Sequence, residues 1–422
     1  MNKNSASVHL DKIFFVASVF ALLTCEVFAA APVCTRQALS LPDSSVPVGT
    51  VRKDIPIEHI IIVMQENHSF DMHLGKLNKP EFYGSEVDGV SEQMLNFDNR
   101  GKPVSVFHLP SRCMVDTDHT WAGMHSSWNL GANDGFVKTN GRRVMGYFDE
   151  TDLSYYYSLA NQFTIADRYF GSVMSQTFPN RLFLMAGTAF GHRKNDIPIS
   201  PNEFHQRSIF DVLNENKVTW RIYTNNAHPY AELFRPMFAK NTANVSSLDK
   251  YDLDLKNGNL PSVVFLDSLE DVEDEHPPLD VGIGESWVQA RVESLMKSQY
   301  WKSSVLFLTY DENGALFDHV TPPESCTPED APWAADYDHY GFRVPLIAVS
   351  PWVKHHHVSH DVYDHTSILK FIETKFNLPA LTRRDANADA MLDLFDFSNP
   401  TFEVRELPKS NYVSGRVCKP YL

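Results

Sequence analysis

Six side chains able to hold a cation or carry a proton crowd into residues 65–71: Gln65, Glu66, Asn67, His68, Ser69 and Asp71. They follow at once on Ile60 to Met64, a short apolar run rich in β-branched residues. A run of this kind, bounded by polar residues, reads as a buried strand. In open α/β sheets, ligands bind just beyond the carboxyl ends of the strands. The ordinary alternative is a solvated turn that is polar by default, and this segment alone leaves the two readings even.

A second run, Val305 to Tyr310, ends in Asp311, Glu312, Asn313 and Gly314, with Asp318 and His319 just beyond. Two strand ends with paired oxygen donors suggest one cation held between them. Oxygen and imidazole ligands suit Zn, Mn, Mg or Ca. A hairpin turn built on residues 311–314 is the weaker reading, because the strand-then-carboxylate pattern occurs twice.

In a third segment, Thr177 stands two residues before Pro179 and ahead of a helix-like run, Arg181 to Ala186. A hydroxyl at a helix N-terminus can meet a phosphate beside free backbone N–H groups. Threonine needs a cation or a base before it attacks anything. Taken alone, Ser175 and Thr177 read more readily as helix caps. Arg181 could clamp an anionic oxygen or simply pair with a carboxylate. His119 and His276 offer imidazoles that can protonate a leaving oxygen or bind phosphoryl oxygens. His355, His356 and His357 are adjacent on one short segment and point different ways, so they read as surface. His73, His125 and His360 get the same reading.

These groups need elements to position them. Strand-like runs recur at Val218–Tyr223, Ser262–Leu266 and Val344–Val349. Helical patterns lie between them at 153–162, 207–215, 286–301 and 367–376, the last preceded by Asp364-His365-Thr366, where a polar side chain can cap the first turn. Strands alternating with helices imply an α/β fold, a mostly parallel sheet covered on both faces. Residues 113–157 look like one long functional loop. Its aromatic residues (Trp121, Trp128, Phe136, Tyr147 and Tyr155 to Tyr157) are candidates either for an acyl or choline site or for core packing.

Lys3, Lys12, the apolar run Ile13 to Leu23 and the small residues Ala29 to Ala31 form a secretory signal pattern covering residues 1–30. A lipid anchor at Cys25 is the minority reading. The remaining chain, 31–422, reads as one catalytic domain with a possible C-terminal extension over 378–422. Cys34, Cys113, Cys326 and Cys418 contain no C-x-x-C pair and suggest two disulfides in an oxidising compartment. Three pairings are possible, and a guess joins Cys34 to Cys418. A net charge of −16 without basic clusters argues against nucleic acid and against electrostatic adhesion to anionic membranes. It leaves zwitterionic lipid open.

Assembled, the chain resembles the bacterial phosphoesterase family of secreted phospholipases C, plant non-specific phospholipases C and certain acid phosphatases. The matching segments are IIIVMQENHSFD (60–71), DHTW (118–121), NDGF (133–136), TFPNRL (177–182), EHPP (275–278), TYDENGALFDH (309–319), RVPLIAVSPW (343–352) and DHTSIL (364–369). The resemblance implies an alkaline-phosphatase-like core and a divalent metal ion, with zinc preferred. Glu66, Asn67, Asp311 and Glu312 would bind that ion together with Thr177, the nucleophile. His119 and His276 would line the phosphate pocket, and Arg181, His319 and His365 would contact substrate. The implied activity is a secreted phospholipase C acting on phosphatidylcholine-type lipid at a membrane surface, with a broad acid phosphatase as the alternative. A non-catalytic binding protein is disfavoured because the reactive groups are intact. Three departures, His68 for a common Arg, Ala315-Leu316 for Gly-Phe and the loop from Trp121-Ala122, bear on substrate choice.

Overall fold

The computed structural model describes residues 32–197, 204, 207–331, 336–403, 406–412 and 418; the signal pattern lies outside them. The main sheet is built from β1 (His59–Gln65), β2 (Thr164–Ala166), β3 (Trp220–Thr224), β4 (Val245–Ser246), β5 (Val263–Asp267), β6 (Ser304–Tyr310), β7 (Leu346–Val349) and β8 (His357–Ser359). Their spatial order is β8-β2-β7-β6-β1-β5-β3-β4. Five neighbouring pairs run parallel, and only β7 is antiparallel, to both β6 and β2. The expected mostly parallel α/β sheet is therefore present.

Strand β1 reads HIIIVMQ, and all but its first residue is buried. Such unbroken hydrophobicity is what a central parallel strand needs when both of its faces are covered. Strand β1 lies between β5 and β6, with Ile60 opposite both Val263 and Val305. The three carboxyl ends therefore emerge side by side on one edge. Strand β7 begins two residues later than its sequence pattern suggests. Val344 instead bonds Tyr169 O through its amide, and the Arg343 side chain turns into an ion cluster.

The helices that frame this edge are α1 (Trp121–Trp128), α2 (Ser154–Gln162), α3 (Thr177–Ala186), α4 (Ile209–Glu215), α5 (Gly282–Met296) and α6 (His365–Phe376). Helix α6 starts at a capping box of Asp364 and Ser367, as its sequence suggested, and every residue in it is buried. Its two lysines stay satisfied. Lys375 Nζ donates to the carbonyls of Arg52 and Ile55 at 2.8 and 2.7 Å, and Lys370 Nζ donates to Ala386 O at 3.1 Å.

Three expectations are corrected. The disulfides join Cys34 to Cys326 and Cys113 to Cys418, so each terminal segment is tied to an internal loop and not to the other terminus. Residues 113–157 are not one loop, since they hold α1, the start of α2 and a short helix, Phe136–Asn140. Thr120 caps α1 by accepting from the Gly123 amide, a local signal overridden by the segment's polar composition. The aromatic residues there divide accordingly. Phe136, Tyr147 and Tyr155 to Tyr157 are core residues, whereas Trp121 and Trp128 are only partly buried. Last, His73 is fully buried, while His355, His356 and His360 are exposed.

Candidate active site

The ends of β1, β5 and β6 deliver Glu66 and Asn67, Asp267, and Asp311 and Glu312 to one place. The Asp311 amide donates to Gln65 O at 3.0 Å, continuing the ladder to the edge of the sheet where the carboxylates gather. Asn67 Nδ2 donates to Glu312 Oε1 at 2.7 Å, so the two strand ends touch through their side chains. Beyond them Gly314, at φ +63°, turns the chain so closely that a Cβ there would lie 2.6 Å from Asn67 O.

Thr177 opens α3, and Gln176 occupies the N-cap, so neither Ser175 nor Thr177 caps the helix. Ser175 is spent elsewhere, donating to Arg193 O at 2.8 Å. Thr177 Oγ1 lies 3.4 Å from Glu66 Oε2. One turn later, Arg181 Nη2 reaches Glu66 Oε1 at 3.2 Å, Nε lies 3.7 Å from Asp311, and Nη1 lies 4.0 Å from Asp267. Of the two roles open to Arg181, the structure gives it the carboxylate partners. It neutralises the acidic strand ends from below the helix start.

A cleft brings Glu66, Thr177, His119 and His276 together with Tyr230 and Asp274. The rings of His119 and His276 meet edge to face at 5.5 Å. Burial disfavours the charged form of His119, but the Glu312 and Asp116 carboxylates outweigh it and push the imidazole up to about 10. These two carboxylates thus favour the charged, proton-donating form of His119. Burial, then Glu66, raises Asp274 to about 7.

The acidic pair suits a cation. Asn67 Oδ1 and Asp311 Oδ2 are buried and have no hydrogen-bond donor among the described residues. Burial first, then the Glu66 charge, raises Asp311 well above the usual carboxylate range; Glu312 is raised mainly by burial. Buried acceptors with no donor cost free energy unless something positive meets them. The hard oxygens of Glu66, Asn67, Asp311 and Glu312, beside the Thr177 hydroxyl, are fit to do so with a divalent ion.

Two expected substrate contacts fall outside the cleft. His319 bonds Asp71 at 2.8 Å through Nδ1 and Asp88 at 2.9 Å through Nε2, leaving no ring nitrogen for a ligand. His365 is fully buried, with Nε2 2.7 Å from Asp311 O and Nδ1 3.1 Å from the Tyr169 hydroxyl. Burial holds it down at about 3, so it is a neutral ring that fixes the β6 end.

Sequence reasoning missed Tyr230, Asp267 and Asp274. Tyr230 donates to Glu66 Oε1 at 2.7 Å and lies under the Arg181 guanidinium at 3.9 Å, a pairing without local signature. Asp267 was findable, being a third carboxylate at a strand end.

The sequence model of the phosphoesterase family matches residues 57–379. Non-hemolytic phospholipase C of Burkholderia pseudomallei is 30% identical over 464 residues, spanning 90% of this chain and 64% of that protein. The chain thus spans somewhat less than two thirds of that relative's length. Phospholipase C B of Mycobacterium tuberculosis is 30% identical, covering 82% of this chain and 78% of the relative. Non-specific phospholipase C1 of Arabidopsis thaliana is 31% identical, covering 84% and 73%. Among solved structures, the lipoteichoic acid synthase LtaP of Listeria monocytogenes superposes with a TM-score of 0.41 at 12% identity, over 86% of this chain and 80% of that one.

Proposed function

The chain belongs to the phosphoesterase family, and on that premise we propose that it is a secreted, metal-dependent phospholipase C. The observation that carries this reading is the convergence of Thr177, Glu66, His119 and His276, from four separate segments, in one cleft. The relatives named phospholipase C support the choice of lipid phosphodiester as substrate.

Glu66, Asn67, Asp311 and Glu312 would hold a divalent ion, zinc by preference, with Thr177 beside it. When bound, such an ion neutralises phosphoryl charge and lowers the pKa of a hydroxyl next to it. Thr177 Oγ attacks phosphorus, with Glu66 in reach of its proton. The bond from phosphorus to the diacylglycerol oxygen breaks, and the His119 imidazolium protonates that oxygen. Water then cleaves the phosphothreonine and releases the phosphorylated headgroup. At the start of α3 the Phe178 amide donates to Asn195 Oδ1 at 2.8 Å and Pro179 has no N–H, so the positive end of the helix dipole, not a set of free amides, would favour the phosphate's charge.

The rim supports a lipid surface over a small soluble ester. Val115, Ile197 and Val272 are 39%, 67% and 53% exposed, and each is within two residues of Asp116, Asn195 or Asp271 at the cleft. With a net charge of −16, apolar contact with zwitterionic lipid is the favourable mode of docking. Export through the N-terminal 30 residues as a signal peptide, leaving one catalytic domain, is part of the proposal. Two disulfides support an oxidising destination.

Purified protein incubated with phosphatidylcholine vesicles and, separately, p-nitrophenyl phosphate tests the reading. Phosphocholine release that stops with chelator is expected. Monoester cleavage without lipid cleavage would make the chain an acid phosphatase instead. Thr177→Ala is expected to lower the rate at least ~1,000-fold without lowering the unfolding temperature.

A further inference from the structure

His68 follows Asn67 and Glu275 precedes His276, yet neither lines the cleft. Their side chains meet those of His73 in a separate cluster. Ligand atoms of His68, His73 and Glu275 lie within 4.8 Å of one another, and all three residues are at most 1% exposed. The two imidazole rings sit 4.3 Å apart at 42°, tilted and not stacked. His73 Nε2 is 2.7 Å from Glu275 Oε2. The Tyr156 hydroxyl donates to Glu275 Oε1 at 2.5 Å, and the Tyr310 hydroxyl donates to Oε2 at 2.9 Å.

The anomaly is in the nitrogens. Among the described residues, both ring nitrogens of His68 and Nδ1 of His73 are buried without a hydrogen-bond partner. Buried polar atoms are almost always paired, and an orphan calls for an explanation such as a missing ion or water. Three such nitrogens lie beside the Glu275 carboxylate. Phe148 and Tyr310 pack their rings against the same histidines.

We propose that His68, His73 and Glu275 form a second, buried metal site that takes a divalent ion of the zinc class. Two imidazoles and one carboxylate make a recurrent three-ligand set for such ions, with a fourth position left to water. Donors that share one ion at ~2 Å lie at most roughly 4 Å apart, so the cluster closes with shifts of under about an ångström. Tyr156 and Tyr310 orient the carboxylate, the outer support that metal ligands commonly have.

The site is distinct from the Glu66–Asp311 clamp, since it uses none of those residues. Its place in the core makes it a structural ion, tying the β1 end to the segment that carries His276.

Zinc-edge anomalous diffraction from crystals of enzyme grown with zinc tests the proposal. A peak among His68, His73 and Glu275 is expected. Ordinary water density there, or no peak, overturns it. Elemental analysis should find one more zinc per chain in wild type than in His73→Gln, and Asp311→Asn should keep that ion while disturbing the cleft. Equal zinc in wild type and His73→Gln would also overturn it. If His73→Gln does not fold, the wild-type anomalous map decides alone, and failure of the catalytic reading leaves that map unaffected.

Discussion

Glu66 serves three neighbours through its two oxygens. Oε1 takes the Tyr230 hydroxyl and Arg181, while Oε2 faces Thr177. Tyr230→Phe removes one hydrogen bond to a charged group, about 1.5–3 kcal/mol by type, and keeps the ring under Arg181. We expect kcat/KM to fall roughly 10- to 100-fold, with an unfolding temperature within a few degrees of wild type, as read by steady-state kinetics and calorimetry. His319 makes a pH prediction. Burial opposes its charge, yet Asp71 and Asp88 push it up to about 10. A raised histidine stabilises fully below its ordinary value of about 6.5, and that contribution fades as pH climbs through the folded value. The stability gap between wild type and His319→Gln should therefore be constant below pH ~6.5 and shrink towards pH ~10. Urea titrations across that range check it, and a gap that widens with pH contradicts the assignment.

At the scale of elements, three adjacent parallel strands end level, and a helix begins opposite them. This puts carboxylates and a hydroxyl face to face without any long-range sequence signal. The turn after β6 sets how closely they approach. Gly314 holds φ +63° against the Asn67 carbonyl, with Asn67 Oδ1 3.1 Å from where a Cβ would stand. Gly314→Ala strains the turn by about 1 kcal/mol or more and displaces Asn67. The expected result is a drop in activity of at least ~10-fold with a smaller loss of stability, seen by comparing kinetics with thermal unfolding. Equal activity would mean that Asn67 does not need its present position. Strands β1, β5 and β6 were legible because their residues are apolar on both faces. The starts of α4 and α5 were less so, since helix ends depend on caps and tertiary contacts.

For the whole molecule, the two disulfides close interleaved loops, with sequence separations of 292 and 305 residues. Chain entropy assigns loops of that size about 5 kcal/mol each as an upper value. Reduction should lower the unfolding temperature by several degrees or more, and Cys326→Ser should reproduce part of that loss in calorimetry. Unchanged unfolding under reductant would show that the ties add nothing to the native state. From residue 378 on, the chain also contributes Leu378, Met391 and Leu394 to the core, and Phe395 bridges to Val353.

From its own residues the chain declared five of the eight described strands of the main sheet and the pair of acidic strand ends, and offered Thr177, His119 and His276 as candidates that the family resemblance then ranked. These are local matters: β-branched runs, alternation of strand and helix, and reactive side chains at element boundaries. Four other outcomes were decided only in three dimensions: which cysteines pair, that Arg181 faces carboxylates, that Tyr230 supports Glu66, and that His73 is buried against His68. Each is a contact between segments remote in sequence, made when the sheet and its covering helices close over a shared core. Spacing along a chain carries no information about such approaches.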